Sequence, residues 1–293
     1  MILKIRDWFN QNIMGLAREF RLSFLPPLMV YVAAGISPLT QIVGSFYVKE
    51  QLGLTAEFLA GLAFWAMLPW ALKMPIGHLV DLLWKIKSGF VYLGALMIAA
   101  SLSIMILLLG HTDAMVAIAS AEAWFITSSL LAPIGYVLQD VVADAMTVEA
   151  VPSVNRNGSP LEPSVIRSMH TTMQLLGRLA IIVGGILVAL LNVTLMSGVA
   201  ELPEAEKSLA YLSVYQIGLL IPVSSILGVL AGSFIQRKTI RGLVRSGHTE
   251  DEAVTMTRVQ SERPSVNWWI LGGGLAFALL SISIGLADVS GCL

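Results

Sequence analysis

Seven long stretches of apolar residues recur along this chain of 293 residues, and no other feature limits its fold as strongly. A helix needs about 20 such residues to cross the hydrocarbon core of a bilayer. The stretches are continuously apolar and lack the in/out alternation that marks the strands of a membrane β-barrel. We therefore predict seven transmembrane helices, over residues 23–48, 56–75, 90–110, 114–146, 169–195, 209–235 and 268–287.

The composition supports a membrane location for most of the surface. Hydrophobic residues make up 56% of the chain and charged residues 13%, with a mean hydropathy of +0.78. A soluble domain carries roughly 25% charged residues, because its surface faces water. The net charge of −1 gives no general attraction to nucleic acid. The single cysteine, Cys292, excludes an intramolecular disulfide and a multi-cysteine metal site. The sequence therefore predicts an all-α, polytopic integral membrane protein whose main partner is the lipid bilayer.

The fourth stretch is longer than one crossing requires. Its 33 residues would form about 50 Å of helix, whereas the hydrocarbon core is about 30 Å thick. Two crossings do not fit into this length. We predict one long helix that bends near Pro133 and Gly135 and projects into the cytoplasm.

The distribution of basic residues predicts the orientation. With the N-terminus in the cytoplasm, fifteen of the 18 lysines and arginines fall in cytoplasmic segments. Lys49 and Lys207 fall outside, and Arg178 lies within a span. Cytoplasmic loops carry the excess of basic residues in membrane proteins. We therefore predict a cytoplasmic N-terminus and a plasma (inner) membrane location.

Four segments follow from this arrangement. Residues 1–22 have apolar residues at helical spacing with basic residues between them, which predicts an amphipathic helix on the inner membrane surface, with a flexible tail as the alternative. Residues 23–235 form a six-helix bundle. Residues 236–265 form a charged cytoplasmic linker with a short helix around 250–258, and residues 266–293 contain the seventh helix.

Four ionisable residues within the predicted spans stand out, namely Glu122, Asp140, Asp144 and Arg178. Each costs at least about 2.5 kcal/mol to insert, so each suggests a function. Asp140 and Asp144 share one helix face, where two carboxylates disfavour simultaneous ionisation and could exchange protons. Arg178, with Gln174 one turn before it, is predicted to pair with a carboxylate on a neighbouring helix or with an anionic ligand.

Structural roles remain open for the same residues. Asp140 and Asp144 could lie among headgroups at the cytoplasmic end of the long helix. Arg178 could form a fixed ion pair that joins the fourth and fifth spans. Glu122 could lie near the outer headgroups.

Two sequence motifs resemble those of a known transporter superfamily. Gly77, Leu79 and Asp81, followed by Lys85 and Lys87, resemble the G-x-L-x-D loop motif of the major facilitator superfamily. Residues 140–149, with the sequence DVVADAMTVE, resemble the D-V-V-x-D-A-x-x-x-E segment of the folate–biopterin transporter family within it. Residues 168–185 resemble the following helix of that family.

This resemblance implies a fold of twelve helices, in two six-helix halves that rock around a central site. Only seven helices fit this chain, so the resemblance implies a six-helix N-terminal half plus helix 7, and a missing C-terminal half or a partner chain. It also implies that Gly77, Asp81 and Lys85 govern the switch between inward and outward states.

The predicted function is transport. The chain has no phosphate-binding loop, dinucleotide fingerprint, HExxH or GxSxG motif, so we predict no enzyme activity, no cofactor and no metal site. The leading hypothesis is a proton-coupled or facilitative transporter of a small organic solute, with a pterin- or folate-like compound as a candidate. Asp140, Asp144, Arg178, Gln174 and Glu122 are the predicted substrate or proton site. The alternatives are a non-transporting assembly factor or scaffold on the same fold, and an inactive truncated transporter.

Overall fold

Helices dominate the computed structural model of this chain, which describes residues 20–47, 52, 55–155, 158–257 and 265–291. Seven helical segments in these ranges are long and apolar enough to cross a membrane: Leu22–Ser45, Ala56–Leu82, Trp84–Gly110, Ala121–Ala150, Pro163–Met196, Glu206–Arg245 and Trp268–Ala287. They confirm the predicted all-α polytopic fold and the number of spans. The amphipathic helix predicted for the N-terminus falls largely on residues 1–19, outside the described residues.

Several spans consist of two helices separated by a break. The α-helices of the described residues are, in chain order, α1 Leu25–Ile36, α2 Pro38–Tyr47, α3 Ala56–Ala71, α4 Lys73–Leu82, α5 Lys87–Gly110, α6 Thr112–Val116, α7 Ala121–Ala150, α8 Pro163–Met196, α9 Glu204–Gly218, α10 Leu220–Arg245, α11 Glu250–Thr257 and α12 Trp268–Gly291. Short 3₁₀ turns occupy Leu22–Phe24, Trp84–Ile86 and Val199–Glu201.

The second span was predicted to end at residue 75, but the segment that follows, which resembles a loop motif, is helical as far as Leu82. After a break at Leu72, helix α4 runs from Lys73 to Leu82. Pro75 is compatible with this helix because it lies in the first turn, where backbone N–H groups have no partner within the helix. The G-x-L-x-D motif therefore lies on a helix.

The fourth span is one helix that contains Pro133, as predicted, but it begins later than residue 114. The segment before it forms the separate short helix α6. Ser120 ends this connection by capping α7, its hydroxyl accepting a hydrogen bond from the backbone N–H of Ala123 at 3.3 Å. A side-chain cap of this kind defines a helix start that hydropathy does not detect.

Small residues bring the third and fourth spans into close contact. A Cβ atom added to Gly94 would lie 2.6 Å from the carbonyl oxygen of Gly135, and the reciprocal distance is also 2.6 Å. About two turns away along the same interface, the hydroxyl oxygens of Ser101 and Ser128 lie 3.0 Å apart. Each hydroxyl also donates a hydrogen bond to the backbone carbonyl of the other serine. Such backbone approach and paired hydroxyls are typical of transmembrane helix interfaces.

The second and seventh spans form the outer part of the bundle. In each of these two spans, none of the residues in the most apolar stretch of 18 is buried in the described structure. They contact each other where Gly274 of α12 lies against Pro75 of α4. The backbone N–H of Asn267 also donates to Nε2 of His78 at 2.8 Å. Their exposed apolar side chains are suited to lipid.

Helix α11 confirms the short helix predicted in the linker. Its N-terminus is a reciprocal capping box: the backbone N–H of Thr249 donates to Oε2 of Glu252 at 2.9 Å, and the N–H of Glu252 donates to the Thr249 hydroxyl at 3.3 Å. These hydrogen bonds with Thr249 hold the pKa of the Glu252 carboxyl below its ordinary value.

We predict that α11 loosens in acid. The pKa of Glu252 is lower in the folded protein than in the unfolded chain. The ionised carboxylate therefore stabilises α11 fully above the ordinary glutamate pKa, and this stabilisation is lost as the pH falls through the lowered pKa. Backbone NMR shifts recorded from about pH 7 to about pH 3 should show the first turn of α11 unwinding. Glu252→Gln should remove this pH response, whereas Glu250→Gln, in the same turn, should retain it. An equal response in both variants would contradict the assignment.

Candidate functional site

A lysine from the second span lies between the two predicted aspartates of the fourth. The Nζ atom of Lys73 is 2.5 Å from Oδ2 of Asp140 and 2.8 Å from Oδ2 of Asp144. Lys73 is the first residue of α4, so the break at Leu72 places it against α7. The spacing of four residues puts both carboxylates on the same side of α7, where one ammonium group reaches them together.

The first span completes this group. The hydroxyl of Tyr31, on α1, donates a hydrogen bond of 2.6 Å to Oδ1 of Asp144. Asp144 therefore binds the ammonium group with one oxygen and the phenol with the other. We refer to Tyr31, Lys73, Asp140 and Asp144 as the charge cluster. It joins the first, second and fourth spans.

The charge cluster has a buried end and an open end. The side chain of Asp140 is 9% exposed, whereas those of Lys73 and Asp144 are 37% and 51% exposed. A buried carboxylate needs a partner, because an isolated ion is strongly disfavoured away from water. Asp140 has that partner in Lys73. The open end at Asp144 could receive a proton or a ligand group without unfolding the bundle.

A buried amide network fixes the helix that carries the two aspartates. The hydroxyl of Ser225, on α10, donates to Oε1 of Gln139 at 2.8 Å, and Nε2 of Gln139 donates to the Val91 carbonyl at 3.4 Å. Gln139 is buried and precedes Asp140 in the sequence. The network links the third, fourth and sixth spans and so limits rotation of α7 about its axis.

A second ion pair joins the same helix to the third span. Lys87, the first residue of α5, pairs with Glu149 near the end of α7. The ammonium of Lys87 also lies 3.8 Å from the ring centroid of Trp84, a cation–π arrangement. All three acidic residues of the 140–149 motif thus pair with the lysines that begin α4 and α5.

Arg178 and Gln174 lie on an exposed face of α8, near its middle. Within the described part of the chain, no carboxylate lies within 4.0 Å of the guanidinium group of Arg178. Lys73 is therefore the direct partner of Asp140 and Asp144, and the alternative predicted for Arg178, an anionic ligand, stays a prediction.

The structure separates Glu122 from the charge cluster. Glu122 lies in the first turn of α7. Asp140 follows 18 residues later, which is about 27 Å along the helix axis. Glu122 and the charge cluster are therefore at different depths of the bundle.

The three predicted switch residues lie outside the charge cluster. A Cβ atom on Gly77 would lie 3.8 Å from Cγ1 of Val141, an ordinary contact, so an alanine would fit there. Asp81, at the end of α4, and Lys85, in the 3₁₀ turn, are exposed. Helix α4 nevertheless carries both Lys73 and Gly77 along α7, so any movement of α4 would move the cation of the cluster.

Comparisons with known proteins do not identify the chain. It matches no protein-family model, no curated protein and no solved structure. The resemblance to major facilitator and folate–biopterin transporters stays a prediction.

Sequence reasoning had not included Lys73 in the site. The residue was counted with the cytoplasmic loops, although it falls inside the apolar stretch predicted as the second span, residues 56–75. The signal was a lysine between two prolines, Pro69 and Pro75, within that stretch. Prolines mark possible helix breaks in a membrane bundle, and a break can turn a lysine toward polar partners.

Proposed function

We propose that this protein is a secondary transporter of the major facilitator type that couples a proton to a small organic anion. The observation that supports it best is the ion pairing of Lys73, on the second span, with Asp140 and Asp144, on the fourth. The side chain of Asp144 is exposed and leaves this group open on one side. Intramembrane ionisable residues of this kind are typical of ion and substrate pathways and of proton relays. A pterin- or folate-like anion remains the candidate solute, on the resemblance of residues 140–149.

The charges suggest how coupling works. With all groups ionised, Lys73, Asp140 and Asp144 carry one net negative charge, which Arg178 on the neighbouring helix balances. Uptake of one proton by an aspartate leaves one net positive charge among these groups. An anionic solute that binds near Arg178 and Gln174 neutralises it. Because an uncompensated charge is costly away from water, proton and anion bind together.

The remaining parts of the proposal follow from the sequence. The N-terminus is cytoplasmic and the membrane is the plasma (inner) membrane, as the distribution of basic residues predicts. Gly77, Asp81 and Lys85 govern the change between inward and outward states through α4.

Uptake into membrane vesicles from cells that express the chain tests this proposal. The probes are radiolabelled folate, biopterin and a panel of small carboxylates, supplied with an inward proton gradient. We expect uptake of at least one probe by the wild type and the loss of most of it in Asp140→Asn and Arg178→Ala, since each removes a charge that the proposed coupling requires.

Glu122→Gln provides the matched control. It also changes a carboxylate to an amide on α7, but outside the charge cluster, so we expect uptake close to that of the wild type. Full uptake by Asp140→Asn and Arg178→Ala would overturn the transport role of the cluster. Copurification with a fixed protein partner and no uptake of any probe by the wild type would favour the scaffold instead.

A further inference from the structure

Helix α10 carries a continuous stripe that changes from apolar to basic along its length. The apolar stripe consists of exposed side chains at helical spacing, namely Leu220, Val223, Leu227, Leu230 and Phe234. The basic face continues it with four exposed cations, Arg237, Lys238, Arg241 and Arg245. At 3.6 residues per turn, all nine positions fall within an arc of about 100°. The stripe therefore presents one surface to its surroundings.

The opposite side of α10 packs against the rest of the protein. Ser225, Val229 and Leu243 lie about half a turn from the stripe and are buried. Helix α11, which begins with three acidic residues, packs against α10. Within the described residues, no carboxylate lies within 4.0 Å of any cation of the basic face. The basic face is therefore available to an anion from outside the bundle.

The lengths fit a phospholipid molecule. From Leu220 to Phe234 the apolar stripe covers about 21 Å of helix, more than one leaflet of hydrocarbon. Arg237 and Lys238 lie about 4.5 to 6 Å beyond Phe234, within the headgroup layer of roughly 5 to 8 Å. Arg241 and Arg245 lie further out and can extend back toward the phosphates on their flexible stems. A groove of about 450 Å³ lies there, lined by Phe234, Arg237, Lys238, Arg241, Gly242 and Arg245.

We infer that this surface is a binding site for an anionic phospholipid of the bilayer. The acyl chains lie along the apolar stripe, and the phosphate with its headgroup binds the basic face. Charge complementarity selects an anionic over a zwitterionic headgroup, because four cations meet with no protein carboxylate close to them. The site is separate from the charge cluster and does not depend on the proposed transport function.

Native mass spectrometry of the purified chain tests this inference. The probe is a mixed micelle that contains phosphatidylglycerol and phosphatidylcholine of the same acyl length. We expect the wild type to retain phosphatidylglycerol preferentially. Each basic residue that binds the headgroup of an anionic lipid contributes about fivefold in affinity, so Arg237→Gln/Arg241→Gln should reduce this preference about 25-fold.

The control removes two other exposed cations from the same end of the bundle. Arg21→Gln/Arg167→Gln has the same net charge as the test variant, and we expect its lipid preference to match the wild type. Phe234→Gln should weaken retention of both lipids without changing the preference between them. Three results would overturn the inference: equal retention of the two lipids by the wild type, equal losses in the two double variants, or displacement of the lipid by millimolar inorganic phosphate.

Discussion

Replacing Lys73 with methionine is expected to destabilise the bundle by about 2 to 3 kcal/mol. The change leaves Asp140 and Asp144 without their shared cation, and Asp140 is buried. Removing one partner of a fully buried ion pair costs about 3 to 5 kcal/mol, whereas exposed pairs contribute at most about 1 kcal/mol. The half-exposed Asp144 and Lys73 place the expected loss between these values. Equilibrium unfolding in mild detergent measures it.

A second substitution shows whether the effect comes from the ion pair. Lys73→Met/Asp140→Asn should recover about 1 to 2 kcal/mol of the loss, because it removes the uncompensated buried carboxylate. Lys85→Met is the matched control, since Lys85 is an exposed lysine in the 3₁₀ turn that follows α4 and lies outside the charge cluster. Its unfolding free energy should stay close to that of the wild type. A loss no larger in Lys73→Met than in Lys85→Met would contradict the ion-pair geometry.

Replacing Gly184 with valine is expected to disrupt the contact between the first and fifth spans. A Cβ atom at Gly184 would lie 2.7 Å from Cα of Gly35 and 2.7 Å from the carbonyl oxygen of Val32. Both are backbone atoms and cannot rotate away, so α1 and α8 must separate. Overpacking of this kind costs about 3 kcal/mol or more when only backbone can yield. The yield of folded, monodisperse protein and its thermal midpoint should both fall sharply.

The neighbouring glycine provides the control. A Cβ atom at Gly185 would have no heavy atom within 4 Å. Gly185→Val should therefore change the free energy of unfolding by no more than a surface substitution does, within about 0.5 kcal/mol. Its thermal midpoint should stay close to that of the wild type. Similar behaviour of the two valine variants would show that the first and fifth spans do not approach each other at Gly184.

Hydropathy identified the seven spans but not their ends. Helix α8 begins at Pro163, six residues before the predicted start, and α10 continues to Arg245, ten residues past the predicted end. These extensions carry charged residues such as Arg167 and Arg241. Hydropathy records which residues suit lipid, whereas a helix continues wherever its backbone hydrogen bonds do. The predicted spans are therefore shorter than the observed helices wherever a helix continues past its apolar stretch.

Sequence spacing predicted part of the candidate site. Asp140 and Asp144 were placed on one side of one helix because they are four residues apart, which is a local relation. Their partner Lys73 precedes them in the chain by 67 and 71 residues. Its position depends on the break at Leu72 and on the packing of α4 against α7, which no local pattern specifies. Tyr31, an ordinary aromatic residue in an apolar span, carried no sequence signal at all.

The position of Glu122 also required the structure. Both Glu122 and Asp140 were predicted on the fourth span, and five helical turns could have placed them on one side of it. Ser120, however, caps α7 and places Glu122 in the first turn, at the end of the span. The surroundings of the two residues differ as well, since Asp140 is buried and Glu122 is not.

Proton movement measured in proteoliposomes tests the central claim most directly, that the charge cluster couples a proton to an anion. The purified chain is reconstituted with a pH-sensitive dye inside, and each solute of the panel is added outside without an imposed gradient. We expect solute-dependent acidification of the interior by the wild type and by Glu122→Gln, and none by Asp140→Asn. Acidification that persists in Asp140→Asn, or wild-type liposomes in which no solute moves protons, would contradict it.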